Sequence, residues 1–346
     1  METSQGCVGV TLDVLLPTYN RASLLSRTLE SLWKARVPTG LHVKILVIDN
    51  NSSDNTQDVV ADYRRRLPNL EYVIERQQGL SAALNAGIRA GTGELIATIN
   101  DDEEVDIHWF DVIHRFFANP EFSFAGGPYH PNWSRPKPDW VTKEFGSVVG
   151  WVEAGDAPRQ YGPGFNAMLM GGNAVFRRSA FERVGLYNTS LGRSAKGLAS
   201  CEDEDLFGRL LAADLKGMYL PDLIIHHYIP AERMTRAYHR RWCWGRGTSH
   251  GLLSRNKAPD VAAVDVTSPA VINWFGVPRW QIRRAVVGAF TALKARLGFA
   301  SPAAGLAGEL YVLDLAGFIY GRFLQGRFVS GRRSPAFGRE PQTSHP

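Results

Sequence analysis

Three polar clusters in the first third of the chain have the residue types needed to hold a phosphorylated ligand. They are Pro17-Thr18-Tyr19-Asn20-Arg21, Asp49-Asn50-Asn51-Ser52-Ser53-Asp54 and Asn100-Asp101-Asp102-Glu103-Glu104. The first offers an aromatic ring, the second a hydrogen-bonding carboxylate and the third a cluster of acids. A nucleotide diphosphate asks for those three things: a surface for the base, a partner for the ribose and a divalent cation on the phosphates. Mg²⁺ and Mn²⁺ prefer oxygen ligands, and Mg²⁺ often takes only one or two carboxylates beside phosphate and water. A fourth cluster, Glu202-Asp203-Glu204-Asp205, lies far downstream. A carboxylate there could take the proton of an attacking hydroxyl. The crowding of four acids is expected to raise their pKa values towards neutrality.

The elements around these clusters predict how they are brought together. Val10 to Leu16 is an apolar run ended by Pro17, a buried strand. Ala22 to Ala35 has helical spacing, with Leu24, Leu25, Leu29, Leu32 and Trp33 on one face. Strands follow at Val43–Ile48, Leu70–Ile74 and Leu95–Ile99. Between them lie helices at Asp54–Leu67, with Asp54 as N-cap, and at Ser81–Ala90. Strands rich in Val, Ile and Leu that alternate with helices predict a parallel sheet covered on both faces. Such sheets bind ligands beyond the carboxyl ends of their strands, which is where the first three clusters fall. Glu103 and Glu104 read as first-turn acids of a following helix. From Tyr129 to Phe165 no period is visible, and Trp133, Trp140 and Trp151 read as a satellite core or a sugar-stacking surface. Regular structure resumes at Ala167–Phe176 and in a helix at Glu202–Ala213.

The blocks resemble family 2 glycosyltransferases of the GT-A fold. The resemblance rests on Pro17 to Arg21, Val47 to Asp54, Gly79 to Gly87, Asn100 to Asp102, Gly171 to Arg178 and Glu202 to Asp205, in that order. It covers about Val10 to Trp244. It implies a Rossmann-like, mostly parallel α/β sheet in a catalytic domain of residues 1–229, with a donor half to about 128 and an acceptor half after it. It also implies donor contacts from Pro17, Thr18, Tyr19 and Asn20, with Thr18 and Tyr19 flanking the nucleobase, Asp49 on its edge and Arg76 nearby. Asp101 would meet the ribose or the metal, and Asp102 the metal, Mg²⁺ or Mn²⁺. His226-His227 follows a short strand, Leu223–Ile225, and His227 would be a further metal ligand. Gly172 and Asn173, with Arg241 and Trp242 from a block like that of processive members, would serve the acceptor or the diphosphate. Asp203 would be the base, with Glu202 positioning the acceptor. One base and no nucleophile motif imply inverting single displacement. The implied partners are a nucleotide sugar, with a UDP-sugar preferred, and a glycan or lipid-linked acceptor, as in cell-surface polysaccharide or glycolipid synthesis. The pattern departs from the family at Asn100, where an Asp-x-Asp step has its first acid, and at Tyr238, where the processive block has Gln.

Two rival readings are weaker. A nucleotidyltransferase would need a Gly-rich basic loop after the first strand, and Pro17-Thr18-Tyr19-Asn20 is no such loop. A non-catalytic sugar-nucleotide or lipid-binding relative finds support in Asn100, but Asp102 and Asp203 argue against it.

The remaining 117 positions, 230–346, form a basic helical tail with helical stretches near Glu232–Ser254, Arg279–Leu297 and Gly305–Gly326. From Arg233 onward there are 17 Lys+Arg against 5 Asp+Glu, a net of +12, while the rest of the chain carries −7. Arg279–Leu297 interleaves basic and apolar residues in a way that suits the surface of an anionic membrane. Leu306–Leu324 is apolar but carries Glu309, Asp314 and Arg322, which makes it a poor span. Nucleic acid is not an expected partner, because the basic tail interleaves long apolar runs and shows no recognition motif. Cys7, Cys201 and Cys243 form no C-x-x-C pair, so neither a disulfide framework nor a thiolate zinc site is expected. No secretory signal is read at the N-terminus. A cytoplasmic setting, peripheral on the inner membrane face, is the expectation.

Overall fold

The structure is a computed structural model and describes residues 9–165, 167–193, 201–256, 273–274 and 276–324. The chain runs through β1 (Val10–Thr18), α1 (Ala22–Lys34), β2 (Leu41–Asp49), α2 (Thr56–Tyr63), β3 (Leu70–Ile74), α3 (Leu80–Ala90) and β4 (Leu95–Thr98). It continues with β5 (Glu103–Val105), α4 (Trp109–Phe117), β6 (Phe124–Gly126), β7 (Tyr129–Trp133), α5 (Gly146–Val149) and β8 (Arg159–Gln160). Then come β9 (Ala174–Arg177), α6 (Arg178–Val184), α7 (Glu202–Ala212), β10 (Gly217–Tyr219), β11 (Ile225–Ile229) and α8 (Arg236–Asn256). A short pair, β12 (Asn273–Trp274) and β13 (Val277–Pro278), precedes α9 (Arg279–Arg296) and α10 (Pro302–Ile319).

Eight strands form the main sheet in the order β3-β2-β1-β4-β9-β6-β10-β8. It is parallel except where β9 runs against β4 and β6, and where β8 runs against β10. In β1, Leu12, Val14 and Leu16 enter one apolar layer and Leu15 enters the other. That two-residue alternation, with both faces apolar, is the mark of a strand covered by helices on both sides. Each such side chain removed from water contributes about 1.5–3 kcal/mol. β1 runs through Pro17 to Thr18 rather than stopping before the proline. Pro17 pairs with Ile48 of β2, and β4 on the other side has already ended opposite Leu15. A proline is tolerated there because one flank of the strand is bare.

Asp54 was expected as the N-cap of α2, but that position is taken by Asn55, and Asp54 lies one residue before it. Its Oδ2 accepts from the Ala22 amide at 2.9 Å and its Oδ1 from the Thr56 amide at 3.2 Å. It therefore ties the start of α1 to the start of α2. The stretch after Tyr129 has structure: β7, α5 and β8, with Trp133 and Trp151 edge to face beside Val141, Val149, Ile229 and Met234. Glu103 begins a strand, not a helix. β5 pairs antiparallel with β11, which itself lies parallel to β7 in a second, three-stranded sheet. The two histidines expected after a strand lie inside β11.

Among the described residues the tail forms three α-helices, close to the expected stretches, of which the last two positions, 325 and 326, lie outside the described residues. α10 packs on α8 and α9, and the charged residues of α10 and of the turn after it, Tyr320–Leu324, meet partners. Glu309 pairs with Arg240, Asp314 with Arg246, and Arg322 donates to the Ser254 carbonyl. Gly288 of α9 and Gly308 of α10 touch backbone to backbone, where a Cβ on either would fall within 3 Å of the other. By length and composition, Pro302–Leu324 is the one described helical stretch apolar enough to cross a membrane.

Candidate active site

The carboxyl ends of β1 and β4 open into a cleft of about 360 Å³. At its floor, Thr18 Oγ1 donates to Asp101 Oδ2 at 2.8 Å, and Arg21 Nη1 donates to Asp101 Oδ1 at 3.0 Å and reaches Asp102 Oδ2 at 3.3 Å. Both aspartates are buried. Burial and the neighbouring Asp102 push Asp101 up to about 6 against the pull of Arg21. For Asp102, burial works in the same direction but is overridden by His227, Arg233 and Arg21, which hold its carboxyl well below the usual range.

Glu103 joins this floor, a residue the sequence reading set aside as a helix acid. It is 0% exposed. Its two oxygens accept from Asn100, one from the amide N at 2.7 Å and one from Nδ2 at 2.8 Å. Burial and the Asp102 charge push its carboxyl well above the ordinary range. The position that departs from Asp-x-Asp thus has a use. An amide side chain can donate to Glu103, whereas a second carboxylate there would repel it. The acid set is displaced along the chain to Asp101, Asp102 and Glu103, so Asn100 does not by itself mark decay.

β11 brings the imidazole. His227 stands opposite Glu103 in the β5–β11 ladder, and the Tyr228 amide donates to the Asp102 carbonyl at 2.8 Å. Asp102, Glu103 and His227 present ligand atoms within 4.8 Å of one another. Arg233 already places a cation in this cluster. Its Nη2 lies 2.8 Å from Asp102 Oδ2 and its Nη1 2.9 Å from His227 Nε2. Nδ1 of His227 is buried without a hydrogen-bond partner among the described residues. Two carboxylates and an imidazole around a spot that already holds positive charge fit a Mn²⁺- or Mg²⁺-type ion.

The opposite wall is the first turn of α7. Asp203 Oδ2 accepts from the Gly171 amide at 2.9 Å. Burial, with Glu204 adding to it, raises Asp203 to about 6. Burial and the Asp203 charge raise Glu202 to about 8, and Glu202 Oε2 is buried without a hydrogen bond among the described residues. The expectation that all four acids raise one another is corrected by Glu204. Despite burial, Glu204 is held down to about 2 by His250. Asp205 is paired with Arg209 at 2.9 Å. Gly171 and Gly172 sit between the two acid groups. A Cβ at Gly171 would fall 2.1 Å from Asp203 Oδ1, and one at Gly172 would fall 2.3 Å from both Glu103 Oε1 and Asn100 Nδ2.

Pro17, Thr18, Tyr19, Asp101, Asp102, Gly172, Glu202, Asp203 and His227 all line this one cleft, as do Arg21, Arg193 and Arg233. Other expected residues lie behind or beyond it. Asp49 accepts from Tyr72 and from the Ser52 amide at 2.8 Å, and Asn20 Oδ1 accepts from the Ser53 amide at 2.7 Å. Asn50 does line the cleft, and it gathers the loop before α3 through Glu75, Gln77 and Gly79. Arg76 is exposed. Asn173 is a buried strut: its Nδ2 donates to the carbonyls of Pro128 and Leu223, and its Oδ1 accepts from Trp109. Arg241 is exposed on α8, and Trp242 packs beside Cys243 and Leu306 with Arg246 over its ring. Of the guanidinium groups that do reach the acids, Arg21 ends the Pro17 block, whereas Arg233 stands outside any pattern the sequence displays. Only its basic type, close after the histidine strand, could have drawn attention.

A family model described as glycosyl transferase family 2 matches residues 13–185. The chain is 26% identical over 250 residues to the succinoglycan biosynthesis protein ExoM of Rhizobium meliloti (strain 1021), covering 71% of this chain and 76% of that one. It is 29% identical over 190 residues to a glucosyl-dolichyl phosphate glucuronosyltransferase of Haloferax volcanii, covering 53% of this chain and 57% of that protein. Among solved structures, the mannosyltransferase PcManGT of Pyrobaculum calidifontis, in complex with GDP-Man and Mn²⁺, superposes with a TM-score of 0.59 at 18% identity, over 91% of this chain and 87% of that one. Staphylococcus aureus TarS 1–349 with UDP-GlcNAc gives 0.53 at 15% identity, over 92% of each chain. These structural likenesses show the GT-A fold.

Proposed function

The chain belongs to glycosyltransferase family 2 and is a transferase, and from that premise we propose that it moves a hexosyl group from a nucleotide diphosphate sugar to an acceptor hydroxyl by single displacement with inversion. The observation that carries the reading is the single cleft lined on one side by Asp101, Asp102, Glu103 and His227 and on the other by Glu202 and Asp203. A UDP-sugar is the preferred donor, and the setting is synthesis of a cell-surface polysaccharide or glycolipid. By their names, ExoM is a succinoglycan biosynthesis protein and the Haloferax protein a glucosyl-dolichyl phosphate glucuronosyltransferase.

In this reading Thr18 and Tyr19 border the base, and Asp49 and Asn50 hold the loops around it. Asp101 meets the ribose while Thr18 and Arg21 fix its carboxylate. Asp102, Glu103 and His227 hold Mg²⁺ or Mn²⁺, which when bound neutralises the diphosphate leaving group. Arg233 would then give up Asp102 and become free to meet the phosphate oxygens, while Arg21 stays on Asp101. Asp203 accepts the acceptor hydroxyl's proton as that oxygen attacks the anomeric carbon and the bond to the diphosphate breaks. A base near 6 is ionised at neutral pH and still basic enough to work there. Glu202, near 8, stays protonated at neutral pH and can donate to an acceptor oxygen.

α9 supports peripheral attachment to an anionic membrane at the cytoplasmic face. Trp280, Val287, Phe290 and Leu293 are exposed on it, Leu297 and the 80% exposed Phe299 follow it, and Arg283, Lys294 and Arg296 lie among them. Co-sedimentation with anionic but not neutral liposomes is expected. Equal binding to both would contradict this part.

The donor is tested by thermal stabilisation across a panel of nucleotide sugars with and without Mn²⁺, since a ligand of the folded state alone raises its stability. A metal-dependent rise with one nucleotide class is expected. No rise with any member of the panel would contradict the reading.

A further inference from the structure

The first turn of α7 presents two pairs of side chains in two directions. Glu202 and Asp203 line the cleft, while Cys201 and Glu204, three residues apart and so on one face, meet α8. There the thiol of Cys201 hydrogen-bonds Glu204, and His250 Nε2 lies 2.9 Å from one Glu204 oxygen and 2.7 Å from the other. The sulfur, carboxylate and imidazole atoms all lie within 4.8 Å of one another. Cys201 is buried and holds a backbone φ of +82°, a conformation few residues other than glycine adopt. Strain of that kind persists where the surrounding structure requires it, and it clusters at functional positions. Arg246, paired with Asp314 at 2.9 Å, adds to His250 in holding the Glu204 carboxylate in its charged form.

We propose that Cys201, Glu204 and His250 form a second cation site, for a borderline-soft divalent ion such as Zn²⁺. The ligand chemistry separates it from the cleft. A thiolate and an imidazole favour Zn²⁺ over Mg²⁺ and Mn²⁺, whereas the Asp102 cluster offers mainly oxygen. Three protein ligands leave a fourth position for water. The contacts between His250 and Glu204 are shorter than two ligands on one ion need, so binding parts them slightly. An ion there pins the turn that carries Glu202 and Asp203 to α8. Its consequence for transfer rests on the reading of Asp203 as base, but the binding itself does not.

The test uses full-length protein carrying Cys7→Ser, stripped with a chelator and titrated with Co²⁺. One equivalent should give a thiolate-to-cobalt charge-transfer band, and Zn²⁺ should abolish it. The band should disappear in Cys201→Ser and in His250→Gln, and survive in Asp102→Asn. Failure of the donor-site reading would leave this spectrum untouched. No band in the parent protein, or a band that persists in Cys201→Ser, overturns the proposal. Because the parent spectrum alone can overturn it, the outcome does not depend on every variant folding. Zn²⁺ should also raise the Tm of the parent and leave that of Cys201→Ser unchanged; equal rises would count against the site.

Discussion

Arg233 Nη2 lies 2.8 Å from Asp102 Oδ2, and the same guanidinium touches His227 Nε2 at 2.9 Å. A side-chain cation thus sits among the groups that our reading assigns to a divalent ion. In that reading, metal and arginine compete for one carboxylate. Metal loading is then coupled to release of Arg233, four residues after the end of β11 and three before α8.

Arg233→Gln should therefore bind Mn²⁺ more tightly in the absence of nucleotide, by about tenfold, the equivalent of ~1.4 kcal/mol. Transfer should nevertheless fall, because a cation for the diphosphate is lost. Titration followed by the Mn²⁺ paramagnetic resonance signal reads the affinity. Weaker binding in the variant would mean that Arg233 supports the site rather than competing for it.

Asp203→Asn should lower kcat by roughly 10²–10⁴, the usual worth of a general base, with donor KM little changed. In the wild type, kcat/KM should fall as pH drops through about 6, where Asp203 takes up its proton. The residual activity of the variant should lack that acid limb. A limb that stays in place would assign the ionisation to another group.

Glu202 gives a stability test with a definite sign. Its folded value, about 8, lies above the ordinary 4.5 because of burial first and Asp203 second. Its contribution is fully present below about 4.5 and is lost as pH rises through about 8. Gln has no such loss. The Tm difference, Glu202→Gln minus wild type, should be more positive at pH 9 than at pH 5 by about 2 °C or more, the size of effect that ~1 kcal/mol produces. A difference that is flat with pH would contradict the assignment.

Gly172→Ala should destabilise the fold by about 1–3 kcal/mol, the cost of forcing an atom into a filled space. The new methyl would fall 2.3 Å from both Glu103 Oε1 and Asn100 Nδ2. Since it pushes on Glu103, Mn²⁺ affinity should fall as well. Chemical denaturation and the same Mn²⁺ titration measure the two effects, and wild-type values in both would show that the loop yields.

Much of this was legible in the chain. The first four strands of the main sheet and their helices announce themselves as runs of Val, Ile and Leu, because both sheet faces are buried. Thr18, Asp102 and Asp203 could be found because they follow recognisable elements. Glu103 could not. Four acids ahead of a helical stretch look like a helix start, and β5 has only three residues. What makes it a strand is pairing with β11, more than 120 positions away in the chain. Arg233 is hidden for the same reason: its role comes from the turn after β11, not from any local pattern. Asn173 was expected at the acceptor but is a buried strut, since its neighbours Pro128, Leu223 and Trp109 meet it only in the folded chain.

The central claim is that Asp102 holds the metal that holds the donor. Calorimetric titration of a nucleotide sugar, with and without Mn²⁺, in wild type and Asp102→Asn, tests it most directly. The account predicts that Mn²⁺ strengthens donor binding at least tenfold in the wild type and has no effect in the variant, with both proteins folded by circular dichroism. The same Mn²⁺-dependent gain in Asp102→Asn would contradict it.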